Sequence, residues 1–260
     1  IAYGQRLRLP FNEYISSEYQ QKSMGFMDLY SSEKGQENQY PPSFLYSLPL
    51  SDTDIFLEET ILATRENIEW KELQHRLSLR KKQLGLCSAT VIEEEYCTIQ
   101  MGGALPLFGR NIGFGAAAGF THPVTGFQIT RSIRSAPRLA VALKTNWHLD
   151  VEQLSQKAWS VLWSKTEQQN RKLYLLGLDI ITQLNLAETQ DFFEAFFSIP
   201  ADIRQDFLSG WGPTPSIKKS MWKTFQNANW KTRKRIMQSS IQHPSTLFSA
   251  LVGTSFLEFS

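Results

Sequence analysis

The chain has 260 residues, which is long enough for one large or two small domains with a buried core. Hydrophobic residues make up 42% and charged residues 20%, and these fractions exclude a disordered or fibrous protein. The 27 basic and 25 acidic side chains give a net charge of +2, so composition predicts no nucleic-acid partner. The two cysteines, Cys87 and Cys97, lack metal spacing and cannot form a disulfide framework, which indicates a reducing compartment.

The first part of the chain has the alternation of apolar and polar residues that is typical of β-strands. It predicts strands at residues 1–9, 22–30, 43–51 and 54–62. Their connections, such as "SSEKGQENQYPP", are short and polar and favour an antiparallel sheet. Because the chain begins at Ile1 inside such a strand, we expect it to start within a longer protein.

The remaining segments are predicted to be mainly helical. A helix from about 67 to 83 that stops before Gly85 is followed by a strand in "CSATVIEEEYCTIQM". The segment that begins "NIGFGAAAGFTHPVTGF" is predicted to pass from a strand through a small-residue turn into a long helix. From about Leu154 apolar residues recur at three- or four-residue spacing, so the C-terminal third is predicted to be helical. No apolar run reaches the roughly 18 residues of a membrane-spanning helix, so only contact with a membrane surface is expected.

The stretch "IFLEETIL" places Glu58 and Glu59 side by side in an otherwise apolar strand. Since side chains alternate in a strand, the two glutamates point to opposite faces of the sheet. One interpretation is structural, with one carboxylate facing water and the other near a sheet edge. The other is a carboxyl whose pKa is raised by apolar surroundings and which donates and receives protons.

The small-residue turn "GFGAAAG", from Gly113 to Gly119, has two interpretations of equal weight. Its backbone can approach a phosphate or a ring, and the following helix offers N-terminal amides to an anion. Alternatively it is a tight turn packed against a neighbouring element. His122 is a candidate ligand contact, but a lone loop histidine is more often structural, and the other histidines have no metal spacing.

The segment "IKKSMWKTFQNANWKTRKRIM" near the C-terminus interleaves seven cations with aromatic residues and contains no acid. It allows nucleic-acid binding, contact with an anionic bilayer surface, or a solvated helical face.

The order of several motifs resembles the plant and cyanobacterial lycopene cyclases over residues 1–208. These motifs are "MGFMDLY", "YPPSFLYSLPLSDTDIFLEET", "MGGALPLFGRNIGFGAAAGFTHPVTGF", "AWSVLWSKTEQQNRKLYLLGLDIITQL" and "FFEAFFSIP". The resemblance implies an α/β flavoprotein fold of the hydroxylase and geranylgeranyl-reductase type, without its N-terminal dinucleotide-binding half and with a helical C-terminal region. It divides the chain into an antiparallel substrate-domain sheet (1–66), a return to the FAD-binding domain with a second flavin motif (67–148), and helices near the membrane and the carotenoid (149–260).

The same resemblance implies proton-initiated cyclisation of lycopene, or of another acyclic or monocyclic carotene, to β or ε rings without net redox. It implies Glu58 as the principal acid, Glu59 in support, and Asp28 either near the second proton transfer or organising the sheet. Reduced FAD, with NADPH as reductant, is implied as cofactor. The implied flavin contacts are Gly115, Gly119, Pro123 and Gly126.

The second flavin motif departs from the wider pattern at Ala116, where an Asp hydrogen-bonds the sugar-alcohol chain of the flavin. That contact must come from elsewhere, or the flavin is held more weakly. The resemblance implies a peripheral membrane protein of a plastid or of a cyanobacterial membrane. No Gly-x-Gly-x-x-Gly follows a first strand, so the fragment alone is expected to lack FAD and activity.

Two other classes of function stay open at this point. An FAD-dependent isoprenoid reductase or monooxygenase uses the same turn but changes the oxidation state of its substrate. A truncated, membrane-associated scaffold has no catalysis. No metal site is expected.

Overall fold

We describe a computed structural model of the chain, covering residues 1–10, 24–29, 41–242 and 244. The ends of the predicted strand 22–30 and most of the predicted turn after it lie outside these residues. The chain forms two compact units. The first contains residues 1–99 and 184–190, and the second contains residues 100–183 and those from 191 onwards.

The first unit is built on a five-stranded sheet. Its strands are β1 Ala2–Arg8, β2 Gly25–Asp28, β3 Ser43–Pro49, β4 Asp54–Ile61 and β5 Thr90–Cys97. They lie in the order β2-β3-β4-β1-β5, and every neighbouring pair is antiparallel. The predicted antiparallel sheet is therefore confirmed.

Helix α1, Trp70–Gln83, packs against one face of this sheet. Leu73 and Leu77 of α1 are fully buried against Ile55 and Leu57 of β4. Burial of each such side chain stabilises the fold by about 1.5–3 kcal/mol. The helix ends as predicted, because Gly85 adopts a positive φ of 70° that few other residues adopt without strain.

The second unit is helical apart from its first thirty residues, which include a 3₁₀ helix at Gly115–Ala118. The helices that follow along the chain are α2 Ile129–Thr145, α3 Val151–Leu162, α4 Lys165–Ile181, α5 Leu186–Phe197, α6 Ala201–Ser209, α7 Thr214–Asn227 and α8 Trp230–Gln242, and the first five residues of α5 belong to the first unit. Helix α4 begins at a capping box formed by Ser164 and Glu167, a local signal that fixes its first residue. The predicted helical C-terminal third is thus confirmed.

One predicted strand is wrong. The segment before the small-residue turn has no strand in the structure, although Phe114 has extended backbone angles of φ −136° and ψ 157°. An extended segment becomes a strand only when a neighbouring strand accepts its hydrogen bonds, and the described part of the chain supplies none here. No described helix is both long and apolar enough to cross a bilayer.

Candidate functional site

The two adjacent glutamates of β4 face opposite sides of the sheet, as the strand alternation predicts. Glu59 faces α1 and is only 1% exposed. Its Oε1 accepts a hydrogen bond from the Ser43 hydroxyl at 2.6 Å, and its Oε2 lies 3.3 Å from Nε of Arg80. Burial raises the pKa of Glu59, and the charge of Arg80 is the main influence that opposes this rise.

Arg80 also joins Asp28 to this group. Its Nη2 donates to the Asp28 carbonyl at 3.1 Å, and its Nη1 lies 3.9 Å from the Asp28 carboxylate. Arg76, one turn earlier on α1, donates to the Ser43 hydroxyl at 3.0 Å. The structure therefore brings Glu59 and Asp28 together around arginines on the α1 face, away from Glu58.

Glu58 lies on the other face of the sheet and is half-buried. The hydroxyl of Thr60 donates to it at 2.8 Å, and no Lys or Arg of the described residues forms an ion pair with it. Burial raises the pKa of the Glu58 carboxyl, the hydrogen bond from Thr60 partly opposes this rise, and the charge of Glu95 adds to it. Glu58 is thus a carboxyl that holds its proton more strongly than an exposed one.

Aromatic side chains lie on the same face of the sheet as Glu58. Tyr46 of β3 and Gly4 of β1 are its direct partners across the sheet. The ring of Phe56 covers Gly4, because a Cβ added there meets its Cζ at 2.4 Å. The Tyr46 ring packs edge-on against Phe44, with centroids 4.8 Å apart.

Tyr46 is a neighbour of Glu58 that the sequence reasoning missed. Burial, followed by the charge of Glu58, raises the pKa of the Tyr46 hydroxyl to about 12, so it stays neutral. The alternation in "SFLYSLP" already placed Tyr46 and Phe44 on one face. The missing information was the register between β3 and β4, which depends on pairing between distant residues.

The small-residue turn is open beside Gly115 and packed at Gly119, where an added Cβ would lie 3.0 Å from Leu105 Cδ2. Gly115, Gly119 and Gly126 all have φ between 62° and 73°, the region in which glycine is favoured. Helix α2 begins just after the turn, and its N-cap Gln128 makes no side-chain cap hydrogen bond, so the first amides are left without that acceptor. No acidic residue lies in its first turn.

Gln128 also has a buried Oε1 with no hydrogen-bond partner among the described residues. This oxygen lies 3.7 Å from where a Cβ at Gly115 would stand. An uncapped helix N-terminus, glycine backbone and an unused acceptor form a surface that fits a flavin. Pro123 is buried in the same loop, whereas Ala116 has no polar side chain to offer.

Helices α7 and α8 contain the basic segment, and residues 214–242 include no Asp or Glu. Trp222 is 58% exposed and Trp230 is 72% exposed. The same two helices carry four exposed lysines, Lys218, Lys219, Lys231 and Lys234. The exposed side of these helices is thus both basic and aromatic.

Comparison with solved structures identifies the fold. The chain is similar to a geranylgeranyl bacteriochlorophyll reductase-like protein from Thermoplasma acidophilum, with a TM-score of 0.54 and 11% sequence identity. The similarity covers 94% of this chain and 54% of that one. The predicted α/β fold of the geranylgeranyl-reductase type is confirmed.

A family model described as lycopene cyclase protein matches residues 2–228, and the chain belongs to this family. It is 34% identical over 218 residues to lycopene beta cyclase from Arabidopsis thaliana, covering 81% of this chain and 43% of that protein. The tobacco lycopene beta cyclase is 33% identical, covering 91% of this chain and 49% of its own length. A capsanthin/capsorubin synthase from Citrus sinensis is 34% identical, covering 76% of this chain and 41% of its own. The chain therefore spans less than half the length of these relatives.

Proposed function

We propose that the protein containing this chain is a lycopene cyclase that closes β or ε rings at the ends of lycopene or of a related acyclic or monocyclic carotene. It acts as an intramolecular lyase or isomerase in carotenoid biosynthesis, without net redox. The observation that carries this proposal is Glu58, a half-buried carboxyl with a raised pKa and aromatic neighbours. Lycopene offers no polar group, so its recognition needs such an apolar surface.

The proposed chemistry uses Glu58 in both proton steps. Its carboxyl adds a proton to the terminal double bond and leaves a tertiary carbocation. A nearby double bond of the same chain attacks that cation, which forms the ring bond and moves the charge into the ring. The Glu58 carboxylate then accepts a proton from a ring carbon, so product and substrate have the same mass. A raised pKa favours the first step because the acid stays protonated.

Glu59 and Asp28 are proposed to support this acid without facing the same side of the sheet. Glu59 is held by Ser43 and Arg80, and it fixes the strand that presents Glu58. Asp28 organises the end of β2 through Arg80. In this proposal both residues position the site, and Glu58 is the principal acid.

Reduced FAD is the proposed cofactor, with NADPH as its reductant. When bound, the reduced flavin supplies negative charge that stabilises the carbocation. Gly115, Gly119, Pro123 and Gly126 are proposed to hold it through their backbone. Gln128, whose Oε1 lies beside Gly115 and has no hydrogen-bond partner among the described residues, is proposed to supply the acceptor that Ala116 lacks. We propose that these 260 residues alone are inactive.

A membrane surface in a plastid, or a cyanobacterial membrane, is the proposed location. Several relatives are named as chloroplastic or chromoplastic, which supports the plastid. The basic and aromatic side of α7 and α8 supports contact with an anionic bilayer.

The test is to express the full-length protein and its Glu58→Gln variant in lycopene-accumulating cells and to separate the pigments by chromatography with mass detection. We expect cyclic products of unchanged mass from the unaltered protein. We expect the variant to lose at least about 100-fold in cyclic product, because general acid catalysis contributes about 10²–10⁴-fold. Glu93→Gln, which changes an exposed glutamate of β5, is the matched control and should retain activity. Normal cyclic product from folded Glu58→Gln protein would refute the assignment.

A second candidate is an FAD-dependent isoprenoid reductase or monooxygenase, which is supported by the fold shared with the reductase-like protein. It predicts a product whose mass differs from that of the substrate by added hydrogen or oxygen. Folded, flavin-loaded protein that leaves lycopene unaltered would instead support a non-catalytic scaffold.

A further inference from the structure

His122 lies in the turn after the 3₁₀ helix, and its backbone and ring both shape that turn. Its N–H donates to the Phe127 carbonyl, and its carbonyl accepts from the Gly126 N–H, both at 2.9 Å. Its ring Nδ1 accepts from the N–H groups of Val124 and Thr125, each at 3.3 Å. His122 therefore stabilises the loop 122–127 through both its backbone and its ring.

The ring of His122 is anchored in the helical core of the second unit. The residue is 8% exposed, and its ring centroid lies 4.2 Å from that of Tyr174 on α4. Gly210, which ends α6, leaves room for it, since a Cβ there would stand 3.2 Å from His122 Cδ2. The turn is thus attached through one side chain to helices distant in sequence.

The surroundings of His122 determine its charge and tautomer. Burial, together with the charges of Arg131 and Arg171 and partly opposed by the Phe207 backbone, lowers the pKa of His122 to about 3, so the ring is neutral. A neutral imidazole has one donor and one acceptor nitrogen. Because Nδ1 faces two N–H donors, the proton lies on Nε2. Nε2 lies near the Phe207 backbone but has no hydrogen bond of standard geometry among the described residues.

We propose that His122 is a positioning residue of the flavin site. Its Nδ1 holds the backbone of the turn that carries Pro123 and Gly126, and the packing of its ring fixes this turn against α4 and α6. This inference rests on the proposed function, since the turn is a flavin site only if the protein binds FAD. His122 acts through the backbone of Val124 and Thr125.

The first experiment measures FAD affinity in the full-length protein by fluorescence titration. His122→Leu introduces an apolar side chain of similar bulk and leaves two N–H groups without their acceptor, and we expect FAD binding to weaken about tenfold or more. His122→Asn places an oxygen near the position of Nδ1, so it should retain affinity within about threefold. His148→Leu removes an exposed histidine and serves as the control. Unaltered affinity in His122→Leu, or equal losses in the Leu and Asn variants, would overturn the proposal.

The second experiment separates this proposal from the flavin assignment. Nitrogen-15 spectra of the FAD-free protein report which imidazole nitrogen carries the proton. We expect His122 to be neutral with its proton on Nε2 whether or not FAD is added. A proton on Nδ1 would overturn the positioning role even if FAD binds. If the unaltered protein shows the expected tautomer but does not bind FAD, the flavin function fails, and the role in positioning a flavin fails with it.

Discussion

At the scale of single residues, Glu58 and Glu59 are adjacent and chemically identical, yet their surroundings differ. Glu59 is buried against Arg80 and accepts a hydrogen bond from Ser43. Glu58 is half-buried among aromatic rings, and no described Lys or Arg forms an ion pair with it. Burial raises the pKa of both carboxyls, but the charge of Arg80 favours the ionised form of Glu59, whereas no described Lys or Arg pairs with Glu58, which is therefore the one suited to donate a proton.

This difference predicts opposite effects of the two Glu→Gln substitutions on stability. The raised pKa of Glu58 means that the folded state holds this proton at pH values where the unfolded state has lost it. Stability therefore falls as pH rises from the ordinary glutamate value, about 4.3, through the raised folded value. Glu58→Gln removes this loss, so we expect it to unfold at a higher temperature than the unaltered protein at pH 8 and at nearly the same temperature at pH 4.

Glu59→Gln is the contrasting variant, and calorimetry of both variants and of the unaltered protein compares their unfolding temperatures. It removes the closer of the two charges that face the buried Arg80 and leaves only the longer ion pair to Asp28 at 3.9 Å, and breaking a buried pair costs about 3–5 kcal/mol. We therefore expect a clear loss of stability at pH 8. Equal melting temperatures for the two variants at that pH would contradict the assignment of different roles to the two glutamates.

At the scale of elements, β1 and β4 form the apolar surface beside Glu58 by packing a ring of β4 over a glycine of β1. Gly4 lies opposite Glu58, and the Phe56 ring occupies the space that a side chain at Gly4 would fill. Gly4→Ala places a Cβ 2.4 Å from Phe56 Cζ, so the ring must move. We expect a stability loss of about 1–3 kcal/mol from overpacking, and a fall in cyclisation of about tenfold or more as the surface beside the acid changes.

The double variant Gly4→Ala with Phe56→Leu tests the cause of that loss. A smaller side chain at position 56 frees the space, so stability should recover while cyclisation stays low. Gly109→Ala is the matched control, because a Cβ at Gly109 meets no atom within 4 Å. A double variant no more stable than Gly4→Ala alone would show that the two residues are not coupled.

The strands and helices were predictable from the sequence to the extent that local signals determine them. Alternation located β4 and assigned its two glutamates to opposite faces, and Gly85 marked the end of α1. Pairing between distant segments was not predictable, so the position of Tyr46 opposite Glu58 was missed. The same limitation explains the incorrect strand before Phe114, since a strand depends on a neighbour that local sequence does not reveal.

At the scale of the whole molecule, the two proposed sites lie in different units. The acid and its aromatic neighbours belong to the sheet unit, and the turn proposed for flavin belongs to the helical unit. The helical unit also carries the exposed side of α7 and α8, which has tryptophans, lysines and no acid. This combination is typical of a surface that lies on an anionic bilayer, because indole rings enter the interface and lysines face lipid phosphates.

This surface predicts that the full-length protein sediments with vesicles containing anionic phosphatidylglycerol and that salt weakens the binding. Replacing Lys219, Lys231 and Lys234 together by Gln should weaken binding about 100-fold, since each lysine near such a surface contributes about 1 kcal/mol. Trp222→Ala with Trp230→Ala should also weaken binding, but the salt dependence should persist because the lysines remain. Lys144→Gln with Trp147→Ala changes exposed residues of the α2 region and is the matched control. If this control loses as much binding as the α7 and α8 variants, these two helices are not the docking surface.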